Sequence, residues 1–399
     1  MSLASLSASA ARTLIRQVVL ATGTTWLVAC EPSGTTGTPV PDGSTRVLWH
    51  VAGAGAWEVP AVDSTTAYFL DSGHQLHALD AATGALRWRT RIDSTPGPTY
   101  GAGGCVASAD VVACGDEDII AMRRSDGAFA WRFHAAVGYS PGYFDLSESG
   151  GTIFAGSPSG TLYAIDGATG GSRWVNSVFA GESSLVSILE PTTDGEIVVA
   201  GFTKFLHPAV GGVVAVDAVT GNTRWIAYFP PSPTEPFEGT NGRHTALWRN
   251  VVLASSRSGQ ILALNRETGE VLWSLPGAGT NTTTGTPQTG DLRAITVVGN
   301  TLYAGSLSGW FIAYDLLGRR ERWRVDVGVG ISANGMRLPT AGNAIYLVSV
   351  AGDLIALSIA DPAVLWRIYW PGRKLLGTVA IEQDRLFISG EDGFYAIRK

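Results

Sequence analysis

Charge is scarce in this chain. Only 16% of its 399 residues are Asp, Glu, Lys or Arg, and 28 basic residues against 34 acidic ones leave a net charge of −6. No basic face is available to neutralise a phosphate backbone, so nucleic acid is not an expected partner. Heptads, a Walker loop and an 18-residue apolar run are all absent from the sequence, which argues against a coiled coil, a P-loop nucleotide site and a spanning helix. Cysteine is nearly absent too: of the three, no two adjoin, and no C-x-x-C-H motif exists to attach haem. The sequence His74-x-x-His77 has the look of a metal pair, but alternation along a strand sends residues three apart to opposite faces. No metal site is expected.

Tryptophan and glycine are plentiful. Trp49, Trp88, Trp131, Trp174, Trp225, Trp273, Trp323 and Trp366 follow one another at intervals of 39, 43, 43, 51, 48, 50 and 43 residues. Around most of them the same phrase recurs, clearest as GTLYAIDGATGGSRW ending at Trp174 and GQILALNRETGEVLW ending at Trp273. Alternating apolar residues break at a D-x-x-T-G turn, and a second short strand follows with the Trp: a hairpin. The Asp caps backbone amides just after it, and Gly84, Gly127, Gly170, Gly221 and Gly269 supply the positive φ on which such a turn ends. The Asp place is filled by Asp80, Asp166, Asp217 and Asp315, with Asn265 a close substitute, but by Arg123 and Ser358 in the second and seventh units. In the sixth unit the Gly slips to Gly318 and in the seventh Pro362 replaces it, so those turns are expected to be built differently.

A unit of this length cannot bury both faces alone and must stack on neighbours in a ring. The expected fold is therefore all-β, an eight-bladed β-propeller of four-stranded antiparallel blades over residues 46–399. The C-terminal segment holds only three strands, so RVLWHVAG with Trp49 is expected to complete the last blade from the N-terminal side and remove two sheet edges. All eight tryptophans are expected at blade interfaces.

The N-terminal residues 1–29 carry Arg12 and Arg16, no acid, and a modest apolar stretch ending in Leu27-Val-Ala-Cys30. This resembles a bacterial lipobox. The resemblance implies cleavage before Cys30, acylation of that residue and anchoring in the outer membrane on the periplasmic side; an ordinary secretory signal is the alternative. Residues 30–45 then form a Gly, Thr and Pro tether with a flexible reach of about 20 Å.

Cys105 and Cys114 lie in GCVASADVVACG. If Ala109 and Asp110 form a two-residue turn, Ser108 pairs with Val111, and counting back places the two cysteines opposite one another in the closer, non-hydrogen-bonded kind of pair. Either a cross-strand disulfide or two buried thiols would satisfy that geometry.

The pattern G-x-L-Y-A-L-D-x-x-T-G-x-x-x-W resembles the pyrroloquinoline-quinone (PQQ)-like repeat, and eight such repeats behind a lipobox resemble the BamB-type outer-membrane lipoproteins. That family implies a scaffold in β-barrel protein assembly, with an envelope protein as partner and no catalysis. Quinoprotein dehydrogenases share the repeat, but the resemblance to them implies adjacent cysteines under a PQQ cofactor, and none adjoin here. The expectation is a monomeric non-enzyme without PQQ or another cofactor.

Two further groups of residues bear on function. Arg243 with His244, Arg293, Arg337, and Arg373 with Lys374 should begin the innermost strands of blades five to eight. They would make one arc of the channel mouth cationic, ready for an anion such as a tricarboxylate cofactor, unless Glu58, Glu190 and Asp291 neutralise them. Three insertions, at FTKFLHPAVGG, FPPSPTEPFEGTNG and PGAGTNTTTGTPQTGD, fall in one sector of one rim. The first two bring Phe202, Phe205, Leu206, Phe229 and Phe237 into polar loops, where they are expected to meet a protein partner or to pack locally. A PQQ- or anion-binding sensor, and a surface adhesion or carbohydrate-binding module, are the alternative readings.

Overall fold

Residues 42–399 are described by a computed structural model except at 54, 56–58, 93–103, 116–117, 135–144, 181–185, 206–209, 231–241, 257–259, 276–291, 307, 333–337 and 370–373. The leader, Cys30 and most of the tether lie outside the described residues. Eight antiparallel sheets follow one another, each built in chain order. Blade three shows the plan: Asp145–Ser149, Thr152–Gly156, Leu162–Asp166 and Ser172–Asn176 pair in sequence from the innermost strand to the outermost. The last sheet joins Leu375–Glu382, Arg385–Gly390 and Gly393–Arg398 to Val47–Ala52, so the N-terminal strand closes the ring. No helix among the described residues is long and apolar enough to cross a membrane.

The core is divided among eight seams. In blade three Phe154, Leu162 and Ala164 join a cluster with Val198, Ala200 and Val214 of blade four. The alternate residues Ile153, Ala155, Tyr163 and Ile165 join Val111, Ala113 and Ala121 of blade two. Strand alternation thus feeds successive side chains to opposite neighbours, which is why the second and third strands are buried on both faces and read as continuous apolar runs. The seam between blades eight and one, with Phe387, Phe394 and Ala396 against Ala67, Phe69 and Leu79, closes the circle.

Every tryptophan of the periodic set pairs with an alanine on the third strand of its own blade, from Ala78↔Trp88 round to Ala396↔Trp49. In all eight blades a β-bulge separates that tryptophan from the residue two before it, re-aiming the indole toward the next blade. There it meets the turn. Trp174 Nε1 donates to Ala218 O at 3.0 Å, and a Cβ on Gly221, whose φ is +73°, would fall 2.5 Å from the Trp174 ring. Gly84, Gly127, Gly170 and Gly269 stand in the same relation to Trp49, Trp88, Trp131 and Trp225. These glycines therefore serve two ends: a left-handed turn and a flat seat for the preceding blade's indole.

The divergent turns depart as expected. In blade six the left-handed residue is Arg319, at φ +49°, with its guanidinium 5.9 Å from the Trp273 ring. In blade eight no turn exists because the chain ends meet there. Gly43 takes the glycine's place against Trp366, and Arg46 Nη1 donates to Lys399 O at 2.6 Å.

Candidate functional site

The ring has two rims. Turns between first and second strands and between third and fourth strands share one, called here the turn rim. Links between blades and turns between second and third strands share the other, the insertion rim.

The turn rim neutralises its own charge. Asp166 Oδ1 accepts bonds from the N–H groups of Ala168 and Thr169 and from the Thr169 hydroxyl, while its Oδ2 takes Arg173 Nη2 at 2.8 Å. Arg173 foremost, then Thr169, hold the carboxyl down at about 2. Asp80 repeats this with Arg87 and Thr83, also at about 2, and Asp217 with Arg224 and Thr220 lies lower still. The arginine immediately before the Trp was visible in ALRW, GSRW and NTRW, but its partner seven residues upstream was not evident from spacing alone.

Between blades one and two this rim opens into a cleft of about 500 Å³ whose lining includes Asp63, Tyr68, Arg87, Asp110, Arg123 and Arg124. At its floor Arg124 Nη2 lies 2.5 Å from Asp63 Oδ2, which also accepts the Tyr68 hydroxyl at 3.0 Å. Burial pushes the Asp63 carboxyl up, but the Thr65 amide and the Arg124 guanidinium outweigh it and bring it to about 2. Arg123, standing where other blades carry Asp, turns back on Asp126 at 2.8 Å. Each of its three arginines is paired with a carboxylate.

On the insertion rim blade four stands out. Its second and third strands, Ile197–Lys204 and Val210–Asp217, are eight residues each, against five each in blade three. The segment read as a loop insertion is instead a lengthened hairpin. This corrects the expectation for two residues. Phe202 is fully buried, 4.7 Å from the Phe179 ring and 5.5 Å from Tyr228, with Gly212 opposite giving it room. Phe229 is buried in the seam with Leu262 and Leu264 of blade five. Both belong to the core because alternation along the longer strand, and along the outer strand after Tyr228, points them inward. Phe205 is different: at 58% it is among the most exposed large apolar side chains, beside Tyr228 at 47%. Lys204, the last residue of the second strand, is buried, its Nζ 3.0 Å from the Tyr228 hydroxyl and 4.7 Å from the Phe179 ring centre. Leu206 and Phe237 lie outside the described residues.

Of the expected cationic arc only His244 and Lys374 have described side chains. Arg337 and Arg373 lie outside the described residues, as do the side chains of Arg243 and Arg293. Lys374 is exposed just before the strand Leu375–Glu382, and His244 is buried, its backbone N–H donating to Ser255 Oγ at 3.1 Å. His77 pairs with Asp71 at 2.8 Å, while His74 sits buried in the preceding turn. Cys105 and Cys114 are in register, 4.1 Å apart at Cα, and disulfide-bonded within the seam between blades one and two. Among the described residues no three His, Cys, Asp or Glu side chains gather to hold a metal ion.

Comparison with known proteins agrees with the ring. The crystal structure of BamB from Moraxella catarrhalis superposes with a TM-score of 0.65 at 16% identity, covering 88% of this chain and 98% of that one. Quinohemoprotein alcohol dehydrogenase from Comamonas testosteroni gives a TM-score of 0.61 at 14% identity, covering 88% of this chain and 76% of that one. In sequence the same enzyme is 25% identical over 182 residues, 43% of this chain and 26% of the enzyme. Serine/threonine-protein kinase AfsK from Streptomyces griseus is 30% identical over 164 residues, 38% of this chain and 20% of the kinase. The chain thus spans about a fifth to a quarter of the length of these two curated relatives, and the structural likenesses at such identities show a shared fold alone. A family model described as outer membrane protein assembly factor BamB matches residues 39–143, 115–367 and 309–398. The chain belongs to that family.

Proposed function

We propose that this chain is a lipid-anchored, non-enzymatic scaffold of the bacterial outer membrane whose insertion rim captures an envelope protein, with the β-barrel assembly machinery as its partner. The observation that carries the reading is Phe205, an exposed aromatic directly after the lengthened second strand of blade four, on the insertion rim. An exposed aromatic held at the end of a ring strand can supply an anchor residue at little entropic cost on binding. Membership of a family described as an outer membrane assembly factor supports the choice of partner. A second reading, a quinone- or anion-binding protein, draws on the likeness to quinohemoprotein alcohol dehydrogenase. Against it stands the lack of adjacent cysteines and of a C-x-x-C-H motif in the sequence.

The test is crosslinking in the intact envelope followed by purification of the chain. Wild type should recover a barrel-assembly subunit, and Phe205→Ser should recover far less at an unchanged melting temperature. If wild type recovers no such subunit, or Phe205→Ser matches wild type, the partner or the face is wrong. Added PQQ and calcium should give neither stoichiometric binding nor alcohol oxidation with an artificial acceptor; turnover would establish the second reading.

A further inference from the structure

We propose that the turn rim at blade six docks an acidic segment of a partner protein, through arginines of which two are laid over tryptophan rings. The site lies on the opposite rim from Phe205 and does not depend on the function proposed above.

The patch arises where the repeat fails. In blades one, three and four the arginine before the tryptophan closes on the aspartate of the turn. In blade six the turn runs Asp315-Leu-Leu-Gly-Arg-Arg320, with Arg319 as its left-handed residue. Asp315 Oδ1 still accepts the Leu317 N–H at 3.1 Å, but Arg322 Nη1 donates to Thr301 Oγ1 at 2.9 Å instead of closing on Asp315. Glu321 is taken by Arg324 at 2.6 Å. Among the described residues, Arg319, Arg320 and Arg322 are thus left exposed and without an ion pair.

A fourth arginine joins them from blade five. Arg249, in the turn between that blade's first two strands, is likewise exposed and forms no ion pair among the described residues. Its Nη2 donates to Asn300 Oδ1 at 3.2 Å, and Asn300 O accepts the Leu316 N–H at 2.9 Å, which ties Arg249 to the base of the blade-six turn. Two of the guanidiniums lie over half-buried indoles, Arg249 5.1 Å from the Trp248 ring centre and Arg319 5.9 Å from that of Trp273. Stacking of this kind holds the guanidinium plane and leaves its edge N–H groups for a carboxylate. Leu317, 57% exposed, adds an apolar contact at the same tip.

This chemistry selects a narrow, carboxylate-bearing occupant. Clustered arginines recognise acidic motifs, and arginine and tryptophan are the residues that most often carry binding energy. The patch is local, since the chain has a net charge of −6 and Glu270 and Asp361 stand on the turns of the blades to either side. A flat anionic bilayer would press on those acids as well, whereas one extended segment meets the tip alone, and charges farther off than about 10 Å are screened at 0.1 M salt.

The test uses a fluorescein-labelled twelve-residue peptide that alternates Glu with Leu and Phe, and a control peptide with Lys in place of Glu. Anisotropy with the purified full chain should show saturable binding of the acidic peptide alone, weakening at least about fivefold as salt rises from about 50 to about 300 mM. Arg249→Asn, Arg319→Asn and Arg320→Gln together should weaken it at least about tenfold at an unchanged melting temperature, because asparagine tolerates the positive φ of the first two positions. Should that variant melt lower, Arg320→Glu alone reverses one exposed charge and should give a loss of the same sign. Phe205→Ser should bind the peptide as wild type does. Absent or salt-independent binding, equal binding by the arginine variants, or arginine-dependent binding to phosphatidylglycerol vesicles without binding of the peptide overturns the proposal.

Discussion

Gly221→Ala and Gly299→Ala look like the same substitution and should have different costs. Both glycines have positive φ, +73° and +60°. Alanine in the left-handed region loses about 1 kcal/mol, partly offset by the stiffer unfolded chain. At Gly299 that is all, because an added Cβ meets nothing within 4 Å. At Gly221 the same Cβ would lie 2.5, 2.7 and 2.8 Å from three atoms of the Trp174 ring. That ring cannot retreat, being held by its bond to Ala218 O and packed among Phe154, Val198 and Val216. Overpacking of this kind adds about 1–3 kcal/mol, so Gly221→Ala should cost about 2–4 kcal/mol in all. Urea unfolding followed by circular dichroism, with the slope checked for constancy, measures both variants. In a Trp174→Ala background the excess cost of Gly221→Ala should vanish, giving a coupling of about 1–3 kcal/mol. Equal losses in the two single variants, or no coupling, would refute the claim that the glycine seats the neighbouring indole.

Three other expectations follow. Because Asp80 and Asp166 titrate at about 2 in the fold, below their unfolded value, the stability they contribute is complete above the ordinary carboxylate range and is lost as pH falls toward 2; the urea midpoint should drop between about pH 5 and pH 2, and Asp166→Asn should remove part of that drop. Phe202→Ser, at a fully buried ring, should cost at least about 3–5 kcal/mol, whereas Phe205→Ser should stay within about 0.5 kcal/mol, and thermal melting separates them. Deleting residues 46–52 should uncover the outer face of Gly393–Arg398 and the seam against Phe69, so that size-exclusion chromatography shows aggregates; an intact monomer with unchanged melting would mean that Trp49 is dispensable to the ring.

The ring and its closure were legible because tryptophan spacing counts blades directly and because three C-terminal strands required a fourth. The seam device was only half legible. A glycine at the end of D-x-x-T-G announces its own φ, but the indole it seats belongs to the preceding blade, 47 residues earlier in the case of Gly221 and Trp174, and no local pattern names that partner. Phe202 was misplaced for a related reason. FTKFLHPAVGG reads as an insertion, yet Val198, Ala200 and Phe202 keep the alternation, and Gly212 provides the space opposite the ring. Charged residues at the starts of inner strands were easy to find and hard to interpret. Nothing in sequence fixed whether His244 faced outward, and it is buried.

Where the repeat is broken, the seams change as well. Trp49, Trp88, Trp131, Trp174 and Trp225 each donate to a carbonyl in the next blade's turn, at 2.7 to 3.2 Å. Blade six has lost the seating glycine, and its turn meets Trp273 with the guanidinium of Arg319 and the ring of Tyr314 instead. At blade seven the corresponding carbonyl, Ile359 O, takes the Tyr303 hydroxyl at 2.8 Å, and the buried Trp323 Nε1 has no acceptor among the described residues. A buried donor left unpaired costs about 1–3 kcal/mol, so the two seams flanking blade six are closed by means other than the lock used from blade eight to blade five. The longest of the three insertions, residues 276–291, leads into that same blade. A closed ring tolerates such a sector because each seam carries its own cluster, and weakening one leaves the other clusters in place. The regular blades therefore hold the ring, and freedom to vary is concentrated where the lock is relaxed and on the rim where blade four projects Phe205.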